Sequence, residues 1–478
     1  MRPSVFLPHA ELLAPTASSS EVNLLASKHM LPRLLCQQQP AAKQLLQSYD
    51  LYAINNWHQS CFRSIDTPLQ TTLTAMYDPT SDSPRTLPAW LEQQAERRSD
   101  KVALRHKRDG IWHERTWAEL GQEVHALAGG LQRHGFGVGA RLVIISAPRP
   151  EALLISIAAQ HLGGCAALIE PSVGSAGQHD LLSALAPDYV FAEGRDEIGR
   201  VLAAGLAPAL LVYADGRGLR ALGETAEARS GTRVAPRAYG ELIDPGSAGQ
   251  VSRRTIANQA AFALYRRDDD GEIHVLPLPH DELLRNAQAL LLQESLTANE
   301  EAFAARAFAA SGQARYLVAP WLLAGFRLNY PENLGTRDND RREIGPTLVL
   351  GTRATYQRLE HWVNERLPRP GSALRRMVDW ALAPDGGALR RTLGHWLVRR
   401  PLRDVIGFTR TRVPLIVGEA LPEASQRFFA TLGIVVRTLP EPARWQRHPS
   451  HLSTPTKAWI VYPSSTQAAA RSGNWEPA

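Results

Sequence analysis

The densest chemistry in this 478-residue chain lies in YRRDDDGEIHV, from Tyr265 to Val275, which sets two arginines, three consecutive aspartates, a glycine and a histidine within one short stretch. Adjacent carboxylates can hold a cation or a basic ligand. The same DDDG is also what a solvated turn is made of, because aspartate bonds its own backbone and glycine accepts a positive φ. His448 and His451, in HPSH, could share a metal, but Pro449 breaks a regular helix and no cysteine or further histidine lies close, so a surface pair is the simpler reading. His58 and Cys61 have a ligand-like spacing without any supporting neighbour. The three cysteines, Cys36, Cys61 and Cys165, are too far apart for a zinc ribbon and odd in number for a disulfide framework, which fits a reducing cytoplasm. No G-x-S-x-G nucleophile turn occurs.

The elements that would position these groups follow from apolar spacing. With 44% hydrophobic residues the chain can bury one large core or two smaller ones. Leu87 to Arg97 and Thr116 to Arg133 carry apolar residues at three- and four-residue spacing, and Thr116 with Glu119 forms a capping-box pattern. Short apolar runs bounded by turn residues predict strands at Leu142–Ala147, Cys165–Glu170, Tyr189–Ala192, Leu210–Tyr213, Thr347–Leu350 and Pro414–Val417. Helical stretches separate most of them, the pattern of parallel sheets with crossover connections, so the fold class is α/β. None of these runs approaches the roughly 20 apolar residues needed to cross a bilayer.

Residues 1–75 read differently, with polar stretches such as QQQP and PTASSS and no export signal, and are expected to be an irregular extension upstream of a start at Met76. The net charge of +6 is compatible with solubility, an anionic ligand or attraction to a membrane surface. Ser372–Leu382 and Ala388–Val398 form two basic amphipathic helices, with Leu374, Met377, Val378, Leu389, Leu393, Trp396 and Leu397 on their apolar faces. Packing into a core with a solvated arginine face is expected; an anionic bilayer is the other partner such helices suit.

The run LPAWLEQQAERRSDKVALRHKRDGIWHERTWAELGQEVHALAGGLQRHGFGVGARLVIISAPRPEALLISIAAQHLGG, from Leu87 to Gly164, resembles the opening of the AMP-forming acyl-CoA synthetases, the long-chain branch of the adenylating superfamily. REIGPTLVLGTRATYQRLEHWVNERL (Arg342 to Leu367) resembles the segment bordering that family's acyl pocket, which would place Gly351 and Thr352 there. VPLIVGEALPEASQRFFATLGI (Val413 to Ile434) resembles the strand and helix beside the adenine, which puts Gly418, Glu419 and Ala420 at the nucleotide. The resemblance implies that residues 80–440 form the family's large domain of stacked α/β subdomains, with 441–478 a divergent tail and the C-terminal lid domain missing.

The resemblance also exposes departures. The family's phosphate loop, Tyr-Thr-Ser-Gly-Thr-Thr-Gly-x-Pro-Lys-Gly, falls without a gap on Tyr265–Val275. Tyr265 and Gly271 are retained, whereas Arg266, Arg267, Asp268, Asp269 and Asp270 occupy the small-residue positions and His274 the lysine position. Carboxylates facing a triphosphate repel it, by roughly 1 kcal/mol per contact at 4 Å in water and more when partly buried. The Tyr-Gly-Leu-Thr-Glu turn falls on Pro440, Glu441, Pro442, Ala443 and Arg444, so an arginine stands where Mg²⁺ would need an oxygen ligand. Lys457, in the Ser/Thr/Pro-rich tail, is expected to be a solvated loop residue rather than the lid lysine. The chain is therefore expected to be a non-catalytic acyl-CoA synthetase homologue, an acyl-binding or interaction protein without a cofactor and without nucleic acid. Its expected partners are an acyl chain or acyl-CoA and, peripherally, the inner membrane face; no feature identifies a protein partner. The alternatives are a divergent active ligase using ATP and Mg²⁺, or a remnant without function.

Overall fold

Apolar runs pair into strands where the sequence predicts them, in a computed structural model that describes residues 84–170, 175–219, 234–243, 251–307, 309–310, 312–383, 387–441 and 444–448. The expectations for residues 1–75, Pro442, Ala443, His451, Lys457 and the tail fall outside the described residues. The described strands are β1 (Val102–Arg108), β2 (Ile111–Thr116), β3 (Arg141–Ile145), β4 (Cys165–Ile169), β5 (Tyr189–Ala192), β6 (Leu210–Tyr213), β7 (Arg237–Ala238) and β8 (Ala260–Arg267). β9 (Ile273–Pro279), β10 (Glu301–Phe303), β11 (Arg327–Tyr330), β12 (Leu348–Gly351), β13 (Val413–Val417), β14 (Arg437–Leu439) and β15 (Gln446–Arg447) follow.

They form two sheets, one ordered β14-β13-β12-β10-β11-β1-β2 and the other β15-β9-β8-β4-β3-β5-β6-β7. Pairing is parallel except at β1–β2, β8–β9 and β9–β15. The α/β expectation holds, and helices supply the crossovers between parallel neighbours.

The helices begin where local chemistry allows. Thr116 caps Trp117–Arg133: its hydroxyl accepts from the Glu119 N–H at 3.3 Å, and the Glu119 carboxylate accepts from the Thr116 N–H at 2.7 Å. Pro150–His161 is buried on every side, so it has no amphipathic stripe and serves as a central pillar. Helices Leu87–Arg97, Trp117–Arg133 and Pro150–His161 share one core with residues of both sheets, and Trp117 stacks on Trp321 at 4.7 Å. Gly130 is required there, since a Cβ would come within 2.3 Å of the Leu242 carbonyl oxygen.

The basic helices depart from the expected core packing. Ala373–Leu382, Ala388–Gly394, the wider π-turn His395–Arg399 and Arg400–Val405 pack on one another around a small cluster of Val378, Ala381 and Val398. That contact is too narrow to cover the apolar stripe, and Leu374 (61% exposed), Trp396 (58%), Leu397 (57%), Met377, Trp380 and Leu393 remain at the surface. Arg390 and Arg400 lie over the rings of Trp380 and Trp396, at 5.5 and 4.5 Å. Among the described residues no helix is long and apolar enough to cross a membrane.

Candidate functional site

Parallel strands present ligands at their carboxyl ends, and the residues singled out from sequence fall at such ends in the first sheet and on a hairpin in the second. The hairpin is β8–β9, in which Tyr265 pairs with Val275 and Arg266 with His274. Tyr265 lies in the core beneath the second sheet, its hydroxyl buried and its ring edge-on to His448 at 5.8 Å. Burial pushes its phenol pKa up, and the charge of Arg141 opposes this.

The turn closes on itself. Asp268 N–H donates to the Glu272 carbonyl at 2.9 Å and Gly271 N–H to the Asp268 carbonyl at 3.1 Å. The Asp268 carboxylate accepts from the Glu272 N–H at 2.8 Å and meets His274 Nε2 at 2.7 Å. Burial raises the Asp268 pKa, but the His274 ring and the Glu272 N–H outweigh it and hold the carboxyl below its usual range. Gly271 has φ 85°, and a Cβ there would sit 2.8 Å from the Arg267 guanidinium. Arg267 in turn reaches Asp180 at 3.1 Å, and Arg266 covers the Trp445 ring at 4.2 Å. DDDG is thus a hairpin turn whose first carboxylate is saturated internally, with Asp269 and Asp270 exposed.

In the other sheet β12, β13 and β14 are consecutive parallel neighbours, so Gly351, Thr352, Gly418, Glu419 and Ala420 come together at their carboxyl ends. Gly351 lets the helix Arg353–Arg366 start in close contact, since a Cβ would stand 3.0 Å from the Tyr356 ring. Thr352 caps that helix, its N–H donating to Thr355 Oγ1 at 3.3 Å. Gly418 turns the chain with φ 87° and donates its N–H to the Leu439 carbonyl at 3.1 Å. Glu419 and Ala420 are exposed, and Glu419 pairs with Arg353 at 2.6 Å. Of the turn after β14, Pro440 accepts from the Tyr316 hydroxyl at 2.8 Å, while Glu441 and Arg444 face solvent.

Sequence reasoning passed over Arg306. It follows β10, donates to Thr352 Oγ1 at 3.3 Å and approaches Glu170, at the carboxyl end of β4, at 4.0 Å, so that it links strand ends of the two sheets. Its Nε is buried, while the side chain as a whole is 31% exposed, so the guanidinium presents a cation at these strand ends. The available signal was an arginine alone in the small apolar run AFAARAFAA. An open cleft of about 530 Å³ lies elsewhere, lined by Ala89, Glu92, Arg253, Thr255 and Ile256 among others.

Residues 91–255 match the protein family described as AMP-binding enzyme. No curated protein matches the sequence. The A domain of a carboxylic acid reductase from Segniliparus rugosus, solved with AMP and a co-purified carboxylic acid, has a similar fold: TM-score 0.58 and 14% identity, over 78% of this chain and 62% of that one. The adenylation domain of a carboxylate reductase from Mycobacterium chelonae aligns with TM-score 0.59 and 14% identity, over 83% and 64%. The anthranilate CoA ligase AuaEII, solved with anthranoyl-AMP, aligns with TM-score 0.55 and 14% identity, over 74% and 60%. The chain spans less than two thirds of the length of each of these three proteins. Residues 91–255 thus match the AMP-binding enzyme family by sequence, and the α/β frame of the chain is similar in fold to these adenylation and ligase domains.

Proposed function

We propose that this protein is a non-catalytic acyl-CoA synthetase homologue that binds an acyl ligand. The carrying observation is the closed turn in which Asp268 holds both the Glu272 N–H and His274 Nε2. A triphosphate needs bare backbone N–H groups and a free cation at such a loop. Here a carboxylate occupies the N–H, and the imidazole at the lysine position already faces a negative charge. Arg444, exposed and without an oxygen donor on its side chain, does not suit Mg²⁺. These residues therefore do not fit ATP with its metal, and no adenylation step is derived through them.

Support for acid binding comes from Arg306, whose partly exposed guanidinium stands between the carboxyl ends of both sheets, a cation suited to a carboxylate or thioester oxygen. The exposed Leu374–Trp396–Leu397 surface with its arginines suits shallow contact with an anionic bilayer, the phase from which long acyl chains would arrive. The test is pyrophosphate release from ATP with a panel of carboxylic acids, alongside thermal shift with a long-chain acyl-CoA and with ATP·Mg²⁺. We expect no pyrophosphate and a shift with the acyl-CoA alone. Pyrophosphate formation that is abolished by His274→Ala would overturn the reading and make His274 a lysine substitute.

A further inference from the structure

Three helices away from these strand ends bring Glu92, His125 and His161 together, with one ligand atom from each lying within 4.8 Å of the others. Glu92 comes from Leu87–Arg97, His125 from Trp117–Arg133, and His161 is the last residue of Pro150–His161. Glu92 Oε1 faces both rings, His125 Nε2 at 3.4 Å and His161 Nδ1 at 3.3 Å. The other carboxylate oxygen, Oε2, is taken by Arg253.

The contacts of His161 fix which ring nitrogen faces the cluster. Nε2 lies 3.1 Å from the Val251 carbonyl, which can only accept, so Nε2 carries hydrogen. Nδ1 is buried, in a side chain only 2% exposed, and makes no aligned hydrogen bond although Glu92 Oε1 is close. With Nε2 committed to the carbonyl, Nδ1 is the ring atom turned toward the Glu92 carboxylate, where His125 Nε2 also converges. A metal accounts for both the separation and the misalignment. For bonds of roughly 2.0–2.1 Å, two tetrahedral ligand atoms stand roughly 3.3–3.4 Å apart, with each off the other's lone-pair axis. An N–H of His161 held by a backbone carbonyl is also the outer contact that metal-bound imidazoles use. The carboxyl end of Pro150–His161 adds the partial negative charge of its helix dipole.

We infer that Glu92, His125 and His161 form a binding site for a divalent transition-metal ion of the zinc type, with at least one position left for water or a ligand. Imidazole and a single carboxylate select such an ion over Mg²⁺, which prefers oxygen donors and its own water. Entry is open, because Glu92 and His125 are 25% and 34% exposed and Glu92 lines the 530 Å³ cleft with Arg253 and Thr255. This site is independent of the acyl-binding reading and stands if that reading fails.

The experiment is competition for Zn²⁺ between the full, chelator-stripped chain and a chromogenic chelator, with thermal melts in Zn²⁺ and in Mg²⁺. One Zn²⁺ should bind and raise the melting temperature, while Mg²⁺ at the same concentration should not. His125→Ala and Glu92→Gln should each weaken binding at least tenfold, whereas His361→Ala, at an exposed surface histidine paired with Glu365, should leave it unchanged. Co²⁺ in place of Zn²⁺ should give visible bands that change in Glu92→Gln, a near-isosteric variant that decides the matter if His125→Ala does not fold. A wild-type chain that fails to compete for Zn²⁺, or binding that survives both site variants, would overturn the proposal.

Discussion

Acidification below pH 6.5 should destabilise this protein through its buried histidines, and His280 gives the cleanest measurement. His280 is fully buried, its Nδ1 accepts the Leu87 N–H at 3.2 Å, and its Nε2 has no partner. The ring is therefore neutral, and a second proton would set an N–H against the Leu87 N–H inside the core. Burial lowers its pKa from 6.5 to about 3. His106, on β1, is lowered to about 4, first by burial, with Arg149, Arg115 and Arg108 adding to the effect and Glu151 opposing it. In both cases the unfolded chain takes up the proton first. Stability is then complete above about pH 6.5 and falls as pH drops toward the folded values. Each group contributes about 1.4 kcal/mol per pH unit in that interval, so the pair gives a slope of about 2.7 kcal/mol per unit between roughly pH 6 and 4.5. His280→Asn keeps an acceptor for Leu87 and removes the titration, and it should cut the slope to about half. Urea unfolding midpoints measured from pH 7.5 to 4.5 would show this. A variant that loses stability along the wild-type slope would refute the assignment of His280 as a buried neutral base.

Three further outcomes follow from the geometry. Gly130→Ala drives a methyl into the Leu242 carbonyl and should cost about 2–3 kcal/mol, read as a lower melting temperature. Replacing Arg267–Asp270 with small residues and His274 with lysine should bring weak ATP binding by thermal shift, without pyrophosphate release, since Arg444 still cannot hold Mg²⁺; a variant that binds no nucleotide would rule out a vestigial site around Gly418 and Glu419. Trp396→Ser with Leu397→Ser should abolish co-sedimentation with anionic vesicles while leaving the melting temperature unchanged, because both side chains are exposed; retained co-sedimentation would remove that surface from the account.

The strands of the parallel cores were legible because their apolar runs are bounded by turn residues: β5 and β6 have the expected bounds, and β3, β4, β12 and β13 differ from theirs by one or two residues at an end. Thr116 and Glu119 announced a helix start by chemistry that acts over three residues. VALRHKR and IWHERT carry too many charges to look like strands, and they pair as an edge hairpin beside β11. Amphipathic spacing in Ala373–Leu382 revealed an apolar face without revealing what covers it, and the small Val378–Ala381–Val398 contact leaves most of that face exposed. Of the candidate site, the strand-end glycines were placed by a motif. Arg306, and the Glu92–His125–His161 set drawn from three separate helices, have no local spacing to betray them, because only tertiary packing brings their partners near.

The self-closed turn between β8 and β9 also bears on how the chain folds. Hairpins form in roughly 1–10 μs, whereas parallel neighbours must wait for long loops to close. β4 meets β8 across nearly a hundred residues, Ile169 pairing with Tyr265. A hairpin held by Asp268, Glu272 and His274 can persist before that meeting and offer β4 a ready edge. We expect the refolding rate to fall in Asp268→Ala with little change in the unfolding rate, a signature of contacts already made in the transition state. Equal refolding rates for variant and wild type would place closure of the turn after the sheet has assembled.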